Sequence, residues 1–203
     1  MSMLAKKSLL LVFTKNPTLG KVKTRLAKSI GKEKALQIYK ALLKKTASVL
    51  KTLEVDIHLY YSDYIEKDDF FSTVASQKKI QTGKQLGERM SNAFRESLIS
   101  YNKVVIIGAD LWTLEIQDIK NAFEALEHHS AVIGPSADGG YYLLGMTEVM
   151  PHVFINKEWG TSSVLPNTLN NLKSVKHHLL PEKNDIDTFS DLEEYPTLKA
   201  CIQ

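Results

Sequence analysis

A chain of 203 residues, 43% hydrophobic and 24% charged, can bury a core without disulfides or structural metal and is too apolar to be disordered. Its lone cysteine, Cys201, excludes a disulfide framework and a thiolate metal cluster, so a reducing, cytoplasmic setting is expected. The net charge of +3 is unevenly spread. Residues 1–32 hold Lys6, Lys7, Lys15, Lys21, Lys23, Arg25, Lys28 and Lys32 with no acid, whereas the other 171 residues carry 18 basic and 23 acidic side chains. That asymmetry points to a local anion site, not to a nucleic-acid surface with lysines and aromatics spread over a face.

Ser8 to Thr14 is a continuous apolar run, the pattern of a strand buried on both faces. It is too short to span a membrane and has no cleavage site after it, so neither a membrane segment nor a signal peptide is expected. Lys15 to Lys23, with Pro17 and Gly20, reads as a loop, and a helix is predicted to begin near Thr24. Helical periodicity runs from Glu33 to Leu50 through Leu36, Tyr39, Leu43, Ala47 and Leu50. A second strand is predicted over Val55–Tyr61, while residues 62–80 are mixed. Then follow a helix over Leu86–Leu98, a buried strand over Val104–Gly108 and a helix over Ile116–Leu126. Ala131–Gly134 and Tyr141–Met146 read as two strands flanking a Pro-Ser-Ala-Asp-Gly-Gly turn. A helix over Ser163–Leu172, a strand over Val175–Leu180 and a terminal helix after Asp187 complete the pattern. Alternating strands and helices predict a three-layer α/β fold, a mostly parallel sheet with helices on both faces, as one domain over 1–203.

Several motifs are excluded. Gly20-Lys21 is followed by Val22 and no glycine stands at position 15, so there is no Walker A loop. There is no G-x-G-x-x-G, and Gly134-Pro135-Ser136-Ala137-Asp138 fails the nucleophile elbow at its last position. His128-His129 and His177-His178 are adjacent pairs, which suit solvated surface better than zinc.

Chemistry-bearing residues instead cluster at strand ends, where open α/β sheets bind ligands. After the first strand come Lys15, Gly20, Lys21, Lys23, Thr24 and Arg25: glycine for close backbone approach, lysines for charge, and arginine for bidentate phosphate contacts. As solvated cations, they are expected to govern phosphate affinity and to contribute little to stability. Asp110 follows another buried strand and lies too early to cap the helix near Glu115. Asp138-Gly139-Gly140-Tyr141 is either a ligand-facing turn or simply a hairpin. Asp187 either caps the last helix or, with Asp185, presents carboxylates to a metal. Hard oxygen ligands beside a phosphate select Mg²⁺ or Mn²⁺ over zinc.

Six segments recur together: Lys15-x-Pro17-x-x-Gly20-x-x-Lys23-Thr24-Arg25-Leu26, Gln81-x-Gly83-x-x-Leu86-Gly87-x-Arg89-Met90, Gly108-x-Asp110, Gly134-Pro135-x-x-Asp138-Gly139-Gly140-Tyr141, Trp159, and Asp185-x-Asp187-Thr188. In this order they resemble the bacterial glycosyltransferase-A-like domain family labelled radical-SAM/selenodomain-associated transferase. That family is similar to 2-phospholactate guanylyltransferase and, more distantly, to molybdenum-cofactor guanylyltransferases. The resemblance spans nearly the whole chain and implies a nucleotide-diphosphosugar-transferase (glycosyltransferase-A) fold.

It also implies that Lys23 and Arg25 hold nucleotide phosphates and that Asp110 and Asp187 hold Mg²⁺ or Mn²⁺. Asp138, Gly139 and Gly140 would line the acceptor side, with Lys15, Gly20, Lys21, Thr24, Gly83, Arg89, Tyr141 and Trp159 completing the binding set. Lys23, Arg25 and Asp138 are the expected catalytic residues. The expected reaction joins a nucleoside triphosphate to a small phosphorylated or hydroxyl acceptor with release of pyrophosphate. The alternatives are glycosyl transfer from a nucleotide sugar and a catalytically silent nucleotide-binding module. Neither nucleic acid nor membrane is expected as a partner. Two departures stand out: Leu111-Trp112-Thr113-Leu114 follows Asp110 where the family has a proline, and Trp159 is followed by Gly160-Thr161. Trp112 could offer the acceptor a stacking face.

Overall fold

The computed structural model describes residues 7–202, so Lys6 of the basic segment lies outside the described residues. Seven strands form one sheet: β1 (Ser8–Thr14), β2 (Asp56–Tyr61), β3 (Gln77–Ile80), β4 (Lys103–Gly108), β5 (Ala131–Pro135), β6 (Tyr141–Met146) and β7 (His177–Leu179). Their order is β3-β2-β1-β4-β6-β5-β7, parallel throughout except for β6, which runs antiparallel to β4 and β5. The helices are α1 (Thr24–Ile30), α2 (Lys32–Leu50), α3 (Leu86–Ser97), α4 (Ile116–Ala125), α5 (Val164–Asn171), α6 (Phe189–Glu193) and α7 (Pro196–Lys199). This is the predicted mostly parallel sheet covered on both sides. None of the described helices is long and apolar enough to cross a membrane.

The continuous apolar run of β1 has a direct reading in the packing, since successive side chains point to opposite faces. Leu10 and Val12 join a core with Tyr39, Leu43 and Ala47 of α2 and Ile119 and Ala122 of α4. Leu9 and Leu11 join another on the far face with Met90 and Phe94 of α3. A third cluster ties Leu26 of α1 and Ile38 and Leu42 of α2 to Ile186, Leu192 and Leu198 near the C-terminus.

Two elements differ from expectation. β3 lies inside the mixed stretch 62–80, because Gln77-Lys78-Lys79-Ile80 has no apolar run. It is an edge strand, where lysines suppress pairing with foreign strands. The terminal helix is two short ones, because Pro196 starts a new helix at its first turn and cannot continue the old one.

Register decides what meets at the ligand edge. Phe13 of β1 pairs with Gly108 of β4, and Thr14 with Tyr61 of β2. The loops after β1, β2, β3 and β4 therefore leave the sheet side by side. Because β6 is reversed, the turn between β5 and β6 emerges at the same edge. The segment after β7 joins it through Lys183, whose backbone pairs with Pro135 and Ala137.

Candidate functional site

The loop after β1 closes on itself before entering α1. Gly20 (φ +75°) allows the turn in which the Lys21 N–H donates to the Thr18 carbonyl. Lys23 is left-handed at φ +44° and opens α1, a backbone state uncommon for a residue with a Cβ. Its ammonium is held from both sides, 2.9 Å from Asp110 Oδ2 and 3.0 Å from Asp187 Oδ1. The Lys23 side chain is 4% exposed, against 40% for Asp110 and 33% for Asp187. Arg25 Nη2 donates to Asp187 Oδ2 at 2.8 Å from a side chain that is 61% exposed.

These facts correct the expectation that the whole loop is solvated. Arg25 is solvated; Lys23 is not, because an ammonium withdrawn from water needs anionic partners. Burial by itself would lower the Lys23 ammonium, but Asp110 and Asp187 outweigh it and raise it above the usual lysine range. Burial would likewise raise the Asp110 carboxyl, and Lys23 reverses this and holds it below the usual carboxylate range.

Asp187 is therefore not the cap of α6. Thr188 caps that helix, accepting from the Asp191 N–H, while the Asp191 carboxylate accepts from the Thr188 N–H in return. Beside this pair lies Asp185, within reach of the Ser136 hydroxyl at 3.2 Å. Burial first, then the charges of Asp110, Asp138 and Asp187, push its carboxyl up to about 7 against the opposing pull of Lys23. Tyr39, whose hydroxyl donates to the Lys15 carbonyl, is pushed up to about 12 by burial and by Asp110.

A cavity of about 530 Å³ lies between the loops after β1 and β2, lined by Lys15, Pro17, Tyr61 and Phe71 among others. Two more adjoin each other beside it at this edge. One, of about 310 Å³, is lined by Lys15, Lys21, Lys23, Thr24 and Arg25 on one side and by Gln81, Asp110 and Asp187 on the other. The second, of about 220 Å³, has Asp138, Gly140, Tyr141, Trp159 and Asp185 in its wall. They share Phe13, Leu86 and Gly108. Trp159 meets Tyr141 edge-on, with ring centroids 6.4 Å apart. It lies so close to Gly87 that a Cβ there would come within 2.5 Å of the indole.

Other expected site residues act as supports. Arg89 donates to the Gly83 carbonyl at 3.0 Å and to Gln81 Oε1 at 3.3 Å, holding the loop after β3 without lining either cavity. Gly83 sits at φ +137°, where a Cβ would lie 2.9 Å from the Arg89 nitrogen. Gly20 lines neither cavity; it shapes its turn. Gly139 (φ +86°) packs its Cα face on Ser162, and its carbonyl accepts from the Leu165 N–H. The Asp138 turn is also a hairpin turn, Oδ1 accepting from the Gly140 N–H at 2.9 Å. Trp112 offers no stacking face to an acceptor: it packs on the cluster of Leu26, Ile38 and Leu192, and Leu111 is buried in the core. The expected solvation of the histidine pairs is modified too, since His129 and His178 pack with ring centroids 5.3 Å apart.

The donor chemistry suits a divalent ion. Asp110 and Asp187 are hard carboxylates in the wall of the cation-lined cavity, joined through Lys23, with Lys15, Lys21 and Arg25 lining the same space. Among the described residues no three His, Cys, Asp or Glu side chains form a ready metal cage. Mg²⁺ characteristically takes one or two carboxylates and completes its shell with phosphate and water. The residues fit Mg²⁺ or Mn²⁺.

The model of the family described as an uncharacterized protein conserved in bacteria, DUF2064, matches residues 45–161, more than half of the chain. The chain belongs to the DUF2064 family. Comparison with curated proteins finds no match. Among solved structures, this DUF2064 chain is 33% identical to a protein from Desulfovibrio desulfuricans named provisionally as a nucleotide-diphospho-sugar transferase. The match covers 96% of this chain and 88% of the other, with a TM-score of 0.86.

The fold is shared more widely. A 4-diphosphocytidyl-2C-methyl-D-erythritol synthase from Anaerococcus prevotii is 10% identical over 96% of each chain, with a TM-score of 0.62. Glucosyl-3-phosphoglycerate synthase from Mycobacterium tuberculosis, solved with Mn²⁺ and uridine diphosphate, is 9% identical over 97% of this chain and 77% of its own, with a TM-score of 0.56. The DUF2064 chain thus has the nucleotide-diphosphosugar-transferase fold, which nucleotidyltransferases and nucleotide-sugar transferases both use.

Proposed function

We propose that the protein is a metal-dependent nucleotide-using transferase, and specifically a nucleotidyltransferase. The observation that carries this reading is the pair of cavities at the ligand edge that share a wall, one lined by Lys15, Lys21, Lys23 and Arg25 and the other largely apolar. A reaction between a polyphosphate and a second molecule needs two such compartments meeting at one point. A nucleoside triphosphate occupies the cation-lined cavity, with Lys15, Lys21 and Arg25 on its phosphates. Lys23 holds Asp110 and Asp187 in place and keeps a fixed positive charge behind them.

When bound to Asp110 and Asp187, Mg²⁺ or Mn²⁺ supplies neutralisation of phosphate charge. The acceptor, in the second cavity, attacks the α-phosphorus through an oxygen. A new P–O bond forms, the bond to the β-phosphate oxygen breaks, and pyrophosphate leaves with the electron pair. Where the attacking group is a hydroxyl, Asp138 takes its proton.

Glycosyl transfer from a nucleotide sugar is the second reading, favoured by the name given to the 33% identical protein. Both are tested by incubating the protein with Mg²⁺, acceptor panels, and either nucleoside triphosphates or nucleotide sugars, and resolving the products by ion exchange. Acceptor-dependent pyrophosphate is the expected product. Acceptor-dependent nucleoside diphosphate from a nucleotide sugar would overturn nucleotidyl transfer in favour of glycosyl transfer.

A further inference from the structure

The two cavities differ in charge as well as in polarity. Four basic side chains line the first. The second has Phe13, Met90, Tyr141, Trp159 and Val164 in its wall, and its only charged-type residues are Asp138 and Asp185; no Lys, Arg or His lines it. Tyr141 contributes its ring, which meets Trp159 edge-on, while its hydroxyl is sealed from solvent. At about 220 Å³ the space equals roughly seven waters at ~30 Å³ each, room for a sugar ring or an alcohol of that size.

Resting on the assignment of this cavity to the acceptor of a nucleotide-using transferase, we infer that the acceptor is an alcohol, uncharged or carrying an amino group, with a partly apolar body, and that phosphorylated and carboxylated acceptors are turned away. An anionic acceptor would meet the Asp138 carboxylate with no compensating cation in the wall, and like charges brought together out of bulk water repel strongly. Its anionic group would be drawn instead into the neighbouring cavity, where it would compete with the nucleotide. An alcohol, with or without an amino group, meets the Asp138 carboxylate as a hydrogen-bond donor and the Tyr141 and Trp159 rings along its apolar flank. This narrows the acceptor class to the one whose attacking atom carries a proton for Asp138 to receive.

The chain has two tryptophans, so Trp112→Phe, a change in a packing cluster away from the cavity, leaves Trp159 as the sole reporter. That protein is titrated with phenylethanol, phenylethylamine, phenylacetate and benzyl phosphate while the emission of Trp159 is followed. Ligand-observed saturation-transfer NMR on the unaltered protein repeats the series should Trp112→Phe fail to fold. The alcohol and the amine are expected to bind at least about tenfold more tightly than the two anions, and Asp138→Asn to narrow the gap between amine and phenylacetate. Anions that bind as tightly as the alcohol, or no binding by any probe at millimolar concentration, would overturn the inference. Calorimetry with a nucleoside triphosphate and Mg²⁺ is run separately. Its failure would remove the transferase reading while leaving the measured charge preference of the cavity intact.

Discussion

Replacing Lys23 by methionine keeps most of the side-chain volume and removes the charge from between Asp110 and Asp187. Each lost hydrogen bond between charged groups is worth about 1.5–3 kcal/mol in a dry setting. Here the two carboxylates are 40% and 33% exposed, so water relieves part of the loss, and Arg25 keeps its hold on Asp187. The expected net cost is about 2 kcal/mol, which for a chain of this length lowers Tm by about 4–8 °C.

The pH dependence of that cost follows from the directions of the two shifts. The Asp110 carboxyl is depressed because Lys23 outweighs burial, so its share is present above about pH 4 and fades as pH falls through the lower folded value. The Lys23 ammonium is raised because the carboxylates outweigh burial, so its share is present below 10.5 and is lost only as pH climbs past that. The difference between wild type and Lys23→Met is therefore flat from about pH 5 to about 7 and grows above that, because without Lys23 nothing opposes the upward push on the Asp185 carboxyl and the variant goes on losing stability past the point where the wild type levels off. Mg²⁺ or Mn²⁺, added without nucleotide, is expected to restore more stability to the variant than to the wild type, because only the variant lacks an internal cation between the carboxylates. Urea denaturation across pH and thermal melts with each ion provide the measurements. A variant as stable as wild type at neutral pH, or equal stabilisation of both proteins by the ion, would refute the reasoning.

Arg25→Ala removes a solvated partner of Asp187, so stability is expected to change by less than about 1 kcal/mol, while calorimetry shows nucleotide affinity weaker by about 1.5–3 kcal/mol. Gly87→Ala would drive a methyl into Trp159 and the Phe154 carbonyl, 2.5 and 2.8 Å away; a loss of about 1–3 kcal/mol and altered Trp159 fluorescence are expected, and unchanged values of both would mean that the indole is not seated there. His58 is buried with Nδ1 unpartnered. Burial, then Lys79, lower its imidazolium pKa. The unfolded chain therefore takes up that proton first, stability falls as pH drops below about 6.5, and His58→Leu flattens this part of the denaturation profile. Thr188→Ala is expected to cost about 1 kcal/mol through the lost cap of α6, measured against Asp187→Asn, which leaves the cap untouched.

What could be read in the sequence was whatever announces itself locally. The apolar runs of β1 and β4 and the stripe of α2 are periodic, and the cations after β1 are conspicuous beside a chain that is otherwise net acidic. The resemblance pairs Asp110 with Asp187, 77 positions apart in the chain, through a shared metal; that both also meet the Lys23 ammonium is a product of strand register and of a left-handed backbone at Lys23. Nothing local distinguishes Lys23 from Lys21, yet the side chain of Lys23 is withdrawn from water while Lys21 is exposed. Gly87 was visible only as a letter in a motif, since its work is to leave room for a ring more than seventy residues away. Gly83 and Arg89 entered the expected binding set as letters of a motif that the resemblance carries, and only their hydrogen bonds show that they brace a loop. The edge strand β3 escaped notice because lysines that protect an edge erase the hydrophobic signal of a strand.

The reversal of β6 has a bearing on how such a protein diversifies. Within residues 131–146 the chain reaches the ligand edge along β5 and departs along β6 with only a tight turn between them, whereas parallel neighbours need a crossover to achieve the same. Both ends of that turn are anchored in the middle of the sheet, so its length and composition can vary without disturbing β1, β4 or the basic loop. Surface connections tolerate such change while the scaffold beneath stays fixed. The positions flanking Asp138 in this turn, and the Trp159 segment that shares a cavity wall with it, can therefore change while the sheet and the N-terminal basic loop keep their places.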